Sequence, residues 1–166
     1  MFNKWFTKKK QANTVQLVAP LTGKILPLEE VPDPVFAQKM AGDGIAIQPA
    51  EGVLRAPVAG RVAHLFPTHH ALSLVSEEGL ELLIHIGIDT VKLDGKGFRP
   101  QVSVGDQVKA GDKLMEFDLS VIQEAGLSPI TPIIITNSAN KVEAITFGKG
   151  ASVQAGVDQA MDVHLK

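Results

Sequence analysis

A histidine stands inside an otherwise apolar run at residues 80–88, LELLIHIGI. Side chains alternate across a strand, so Leu80, Leu82, Ile84, Ile86 and Ile88 share one apolar face, and Glu81, Leu83, His85, Gly87 and Asp89 share the other. His85 therefore lies off the core face, beside a glycine that adds no bulk and near the carboxylate of Asp89. A second source of imidazoles precedes it in PTHHALSL, residues 67–74. The intervening VSEEGLE, residues 75–81, reads as a turn between antiparallel strands. Pairing of ALSLVS (71–76) with LELLIHIGI brings His69 or His70 close to His85, and only one of the two can point the same way. A lone half-buried histidine is usually structural; a second one beside it is what suggests chemistry. Paired imidazoles can coordinate zinc, exchange protons or take a phosphoryl group as a nucleophile. The residues alone leave all three open.

The elements that must position these rings are strands. Helical periodicity is scarce, and 15 glycines and 10 prolines cut the chain into short β segments. The clearest are GDGIAIQP (42–49), GRVAHLF (60–66), ALSLVS, LELLIHIGI, KLMEFD (113–118) and TPIIITN (131–137), with one or two helical turns at SVIQEAG (120–126). The expected architecture is all-β, an antiparallel sandwich or barrel-like pair of sheets. APLTGKI (19–25) is echoed by APVAGRV (56–62), and the glycine of each is expected to allow a tight turn before an aliphatic residue enters the core. VSVGDQVKAGDKL (102–114) adds two Gly-Asp turns. The whole suggests a fold built from similar β motifs.

Bulk properties narrow the classes of function. The chain of 166 residues is 45% hydrophobic and 20% charged, enough for one domain with a core. It has no cysteine, which removes disulfides and a thiol nucleophile. No apolar run has the length of a membrane span, and no apolar segment with a cleavage site follows Met1, so a secretory signal is not expected. The net charge of −2 is unevenly spread: Lys4, Lys8, Lys9 and Lys10 lie near the start, and all 18 acidic residues lie beyond residue 18. A net-negative body repels nucleic acid. Residues 1–14 read as a basic tail, either disordered or an amphipathic helix that places Phe2, Trp5 and Phe6 on one face toward an anionic membrane. Residues 15–166 read as a single domain.

VPDPVFAQKMAGDGIAIQP, APVAGRV, THHALSL, ELLIHIGIDTVKLDGKGF and VGDQVKAGDKLMEFDL together closely resemble the glucose-type enzyme IIA of the bacterial phosphoenolpyruvate-dependent sugar phosphotransferase system. The resemblance spans about residues 15–148, and its most specific element is H-x-G-I-D-T in company with an upstream T-x-H. It implies a fold of the duplicated hybrid motif type and a cytoplasmic phosphocarrier, peripheral to the inner membrane face where the tail binds. His85 would accept the phosphoryl group, the carbonyl of Gly87 would fix its tautomer, His70 would steady the phosphoryl group, and Thr68 would orient His70. Asp89 would lie at the rim. Val35, Phe36, Met40, Phe66 and Leu83 would form an apolar docking face.

The implied donor is the phosphocarrier HPr and the implied acceptor is the IIB domain of a sugar permease. Regulatory partners in the family are other permeases, a glycerol kinase and adenylate cyclase. No intrinsic cofactor is implied, although His70 and His85 can bind zinc together with a partner's carboxylate. Two positions depart from the family: His69 replaces a usual asparagine, and Leu83 a usual phenylalanine.

Two other readings compete. A lysostaphin-like zinc peptidase also uses H-x-x-x-D, matched by His85 and Asp89, but it needs a downstream H-x-H, and only His164 follows His85. A biotinyl- or lipoyl-type carrier shares the APVAGRV and VGDQVKAGDKLMEF pattern, but Lys39-Met40 lies outside the order that its attachment lysine requires.

Overall fold

The computed structural model describes residues 13–166. Residues 1–12 of the expected tail, with Phe2, Trp5 and Phe6, fall outside the described residues, while Thr14, the last residue assigned to it, opens the first strand. The chain forms strands β1 (Thr14–Val18), β2 (Gly23–Pro27), β3 (Asp43–Pro49), β4 (Val53–Arg55), β5 (Gly60–Leu65), β6 (Ala71–Ser76) and β7 (Glu81–His85). These are followed by β8 (Phe98–Pro100), β9 (Gln107–Val108), β10 (Lys113–Phe117), β11 (Thr131–Ile135), β12 (Val142–Phe147), β13 (Ser152–Val153) and β14 (Gln159–Leu165). Helices are short: α1 (Pro34–Ala37), α2 (Leu119–Glu124) and α3 (Ser138–Lys141), with 3-10 turns at Leu28–Glu30 and Thr90–Leu93. Among the described residues, no helix is long and apolar enough to cross a membrane.

Pairing is antiparallel throughout these ladders, and the sheets do not close into a barrel. One large sheet runs β13-β2-β3-β11-β7-β6-β5-β9, and two smaller sheets run β1-β14-β12 and β4-β10-β8. The large sheet reads the same from either edge once the chain's two halves are exchanged. The echo between APLTGKI and APVAGRV is the sequence trace of that duplication, and the hydrogen bonds repeat it. Val18 donates to the Pro57 carbonyl while Arg55 donates to that of Pro20; Gly156 donates to Ala19 while Gly111 donates to Ala56. Gly150 likewise donates to Ile25, and Gly105 to Val62. The segment at 102–114 thus has its own counterpart in KGASVQAGVD (149–158), an echo too degraded to stand out in the sequence.

The two glycines of the echo serve a different purpose from the expected turn. Neither Gly23 nor Gly60 is among the positive-φ glycines. Each opens a strand so close to its neighbour that a Cβ would meet a carbonyl oxygen, that of Gln48 at 2.0 Å for Gly23 and that of Val75 at 2.2 Å for Gly60. The residue type is set by contact distance and not by backbone angle. Gly60→Ala should therefore force β5 and β6 apart and cost about 3 kcal/mol. Urea denaturation at neutral pH measures this, and a loss under 1 kcal/mol would show that the pairing yields easily.

One face of the large sheet carries the main core. Ile25, Ile45, Ile47, Val62, Leu72, Leu74, Leu82, Ile84, Ile133 and Ile135 pack there against Val15 and Leu17 of β1, Met115 and Phe117 of β10, and Met161 and Val163 of β14. The alternate residues face the other way. Near the sheet's middle they form a second, smaller cluster of Ala46, Ile134 and Leu83 with Leu28, Val31, Phe36 and Ile88. This explains the unbroken run of apolar residues in β11, which is buried on both faces.

The duplication is broken on that second face. The connection from β2 to β3, residues 28–42, is long and carries α1 as a strap over Ile134. The corresponding connection from β5 to β6, residues 66–70, is short and contains His69 and His70. His85 lies where the strap stops.

Candidate functional site

His85 is the last residue of β7, which ends three residues before the expected strand did. The β7–β11 ladder pairs Leu82, Leu83 and Ile84 with Ile135, Ile134 and Ile133. Next in β11 is Pro132, which has no N–H to extend the ladder. The chain leaves the sheet, and Ile88 consequently joins the second cluster instead of the main core. Gly87 takes φ +73° and Asp89 φ +60°, so the backbone doubles back under the imidazole. At Gly87 a side chain is excluded twice over, because a Cβ would lie 2.6 Å from Thr90 Cγ2 and 2.9 Å from the Ser128 carbonyl oxygen.

This hook presents the Gly87 carbonyl to His85 Nδ1 at 2.7 Å. A carbonyl oxygen only accepts, so Nδ1 carries the proton and the lone pair resides on Nε2. Pairing of β6 with β7 sets Ala71 against His85, and the small alanine leaves room for the preceding residue. That residue is His70. Its ring centroid lies 4.9 Å from that of His85, edge to face. The alternative left open by alternation is thereby decided in favour of His70. His69 occupies the left-handed region at φ +61°, a conformation that asparagine adopts more easily than histidine. His70 Nδ1 is 2.6 Å from Thr68 Oγ1. When that hydroxyl donates, His70 keeps its proton on Nε2.

Aromatic rings bracket the pair. Phe36 stands 5.1 Å from His85, Phe66 stands 5.6 Å from His70, and His64 stacks edge-on against Phe66 at 4.9 Å. The apolar residues suggested for a docking face divide into two groups. Val35 and Met40 are 47% and 70% exposed, whereas Phe36 is only 8% exposed and helps to build the second core. Phe66 and Leu83 are half-buried. Val91, on the 3-10 turn beyond Asp89, is also 52% exposed, and no local sequence signal marks it.

Burial lowers both imidazoles' affinity for a proton. His70, 5% exposed, falls from the ordinary 6.5 to about 4, chiefly by desolvation and then by the neighbouring His85. His85 is also lowered, mainly by desolvation, and this is partly opposed by the Gly87 bond and by the charges of Asp33 and Asp89. Both shifts favour the uncharged ring. Asp33 was not foreseen as part of the site. It caps α1, accepting the Val35 N–H at 2.8 Å ahead of Pro34. The D-P pair is a legible helix-start signal, but its closeness to a strand 50 residues away is not. Among the described residues, no three His, Cys, Asp or Glu side chains are grouped to hold a metal ion.

Two adjacent imidazoles, His70 buried and His85 half-buried, stand on an open, duplicated β scaffold, and a scaffold of this kind is shared with known proteins. Residues 15–141 match the family described as phosphoenolpyruvate-dependent sugar phosphotransferase system, EIIA 1. A protein of Bacillus cereus named PTS system glucose-specific EIIA component is 48% identical over the full length of both chains. One of the same name from Oceanobacillus iheyensis is 50% identical, covering 98% of this chain and 99% of that one. The solved glucose permease IIA from Mycoplasma capricolum superposes with a TM-score of 0.83 at 39% identity, covering 90% of this chain and 95% of the other. The chain belongs to the EIIA 1 family of the sugar phosphotransferase system. It is a phosphocarrier component of that system, and the peptidase and the biotinyl- or lipoyl-carrier readings are not favoured.

Proposed function

We propose that His85 takes a phosphoryl group from phospho-HPr on Nε2 and hands it to the IIB domain of a sugar permease, glucose being the sugar named for the relatives. The observation that carries this is the 2.7 Å bond from His85 Nδ1 to the Gly87 carbonyl, with His70 against the same ring. It leaves one lone pair, on Nε2, on the side away from the backbone. In the transfer, the phosphorus–nitrogen bond to the donor histidine breaks as the bond to Nε2 forms. The donor ring regains its lone pair, and no proton need move. His70 donates from Nε2 to a phosphoryl oxygen, with Thr68 holding its other nitrogen. Most of the catalysis is then positioning and charge stabilisation.

The surroundings suit a relay better than a store. Asp33 and Asp89 place negative charge near the ring, which disfavours a phosphoryl group that stays and favours one that moves on. Val35, Met40 and Leu83 provide apolar area for partners that meet the histidines in turn. Phosphorylation places charge at the centre of that face. This separates partners that bind by apolar burial from those that prefer the charged form, and it is the physical basis for regulatory binding to permeases, a glycerol kinase or adenylate cyclase. A zinc ion shared between the two imidazoles and a partner carboxylate belongs to the same reading.

Incubation with labelled phosphoenolpyruvate, enzyme I and HPr tests the proposal. The expected product is a single acid-labile phosphate on the peptide containing His85. Label on another residue, or none at all, would refute it.

A further inference from the structure

The imidazole is held by Gly87, but what holds Gly87 lies deeper. The two peptide units that follow Ile86 are each gripped from both sides. In the unit joining Gly87 to Ile88, the carbonyl accepts from His85 Nδ1, and the N–H of Ile88 donates to the Ser128 carbonyl at 2.9 Å. In the unit joining Ile86 to Gly87, the carbonyl of Ile86 accepts from the Thr90 hydroxyl at 2.5 Å, and the N–H of Gly87 donates to Thr131 Oγ1 over a longer 3.4 Å. Thr131 in turn donates to the Pro129 carbonyl at 3.0 Å. Both threonines are fully buried. Each hydroxyl already donates its proton to a backbone carbonyl, so neither has one to offer a phosphoryl group.

We propose that Thr90 and Thr131 are positioning residues for phosphoryl transfer: their buried hydroxyls lock the Ile86–Gly87 peptide, and so aim the Gly87 carbonyl that fixes the His85 tautomer. The inference rests on His85 being the phosphoryl acceptor. Gly87 has a left-handed φ, and with the Ile86–Gly87 peptide loose the permissiveness of glycine would let the following unit, which carries the Gly87 carbonyl, swing with it. A rotated carbonyl would release Nδ1–H and let the proton move to Nε2, which would then have no lone pair to offer. Bonding at the far end of the Gly87–Ile88 unit also polarises its carbonyl and strengthens the grip on the imidazole. Two hydroxyls with no part in the chemistry thereby keep the nucleophilic nitrogen free.

The test uses the uniformly 15N-labelled full chain, as wild type and as Thr90→Val, Thr131→Val, Thr90→Ser and Thr131→Ser. Histidine nitrogen shifts report the tautomer, and phospho-HPr reports the rate of acceptance. Wild type should show His85 protonated on Nδ1, with a slowly exchanging Gly87 amide. The valine variants should show a mixed tautomer and accept phosphate about tenfold more slowly, and the serine variants should recover both. A valine variant that loses thermal stability yet keeps the Nδ1–H tautomer and the wild-type rate would make the threonines merely structural and overturn the proposal. So would rapid exchange of the Gly87 amide in wild type, a measurement that needs no variant to fold. Failure of the underlying reading looks different: wild type and every variant would then carry phosphate on a residue other than His85.

Discussion

His85→Gln is expected to abolish phosphoryl acceptance while leaving the fold intact. The glutamine amide can donate to the Gly87 carbonyl as Nδ1 does, and its length allows it to lie between Phe36 and His70. The second cluster and the β7 end therefore lose no hydrogen bond. What is lost is the lone pair. An amide nitrogen is delocalised and not nucleophilic, so it cannot form the phosphorus–nitrogen bond. The rate with phospho-HPr should fall at least about 10⁴-fold, with a thermal midpoint near that of the parent chain. His70 is the neighbour best placed to substitute, so the residual product should be mapped as well as counted. Acceptance at an undiminished rate would remove His85 from the reaction.

His70→Gln is expected to separate the two halves of the relay. During acceptance the phosphoryl group arrives already held by the donor's own groups, so the rate should fall by no more than about tenfold. During release, His70 supplies the donor that steadies the developing charge, and loss of one such donor costs about 10²–10³. Phosphorylated protein should therefore accumulate and pass its group slowly to IIB. Equal slowing of both steps would instead mean that His70 only shapes the face.

The same substitution carries a pH signature. The folded-state pKa of His70, about 4, lies below its ordinary 6.5. The unfolded chain therefore binds the proton more readily between those values, and the parent protein loses stability as pH falls from 6.5 toward 4. Glutamine does not titrate, so the variant should lose less. Denaturant midpoints at pH 7 and pH 5 compare the two.

Much of the site could be seen before any coordinates. Alternation in LELLIHIGI put His85 off the main core, and the hairpin register that follows from VSEEGLE brought the second imidazole to it. Which of two adjacent histidines would meet it was open, because that depends on where β6 begins and on the left-handed turn at His69. The expected strand runs past the observed end of β7, since nothing local in IHIGID reveals that Pro132, far along the chain, ends the ladder. Asp33, Val91, Thr90 and Thr131 were invisible as site residues. Each looks like an ordinary cap, loop residue or core filler, and becomes more only through neighbours supplied by other strands.

The sequence by itself determined the strand-rich class, the repeat seeded by Ala-Pro-x-x-Gly, the choice of side for His85 and, through its motifs, the family. These follow from local rules, namely two-residue periodicity, turn chemistry and residue type, which act over a few residues and leave their mark in the order of the chain. Only the tertiary structure decided that the duplication is broken at the β2–β3 strap, that the glycines of the repeat answer to a carbonyl on the next strand, and that two peptide units beneath the imidazole are gripped from both sides. Those are distances between segments remote in sequence. They are set when two faces of a single sheet must both be covered by one chain.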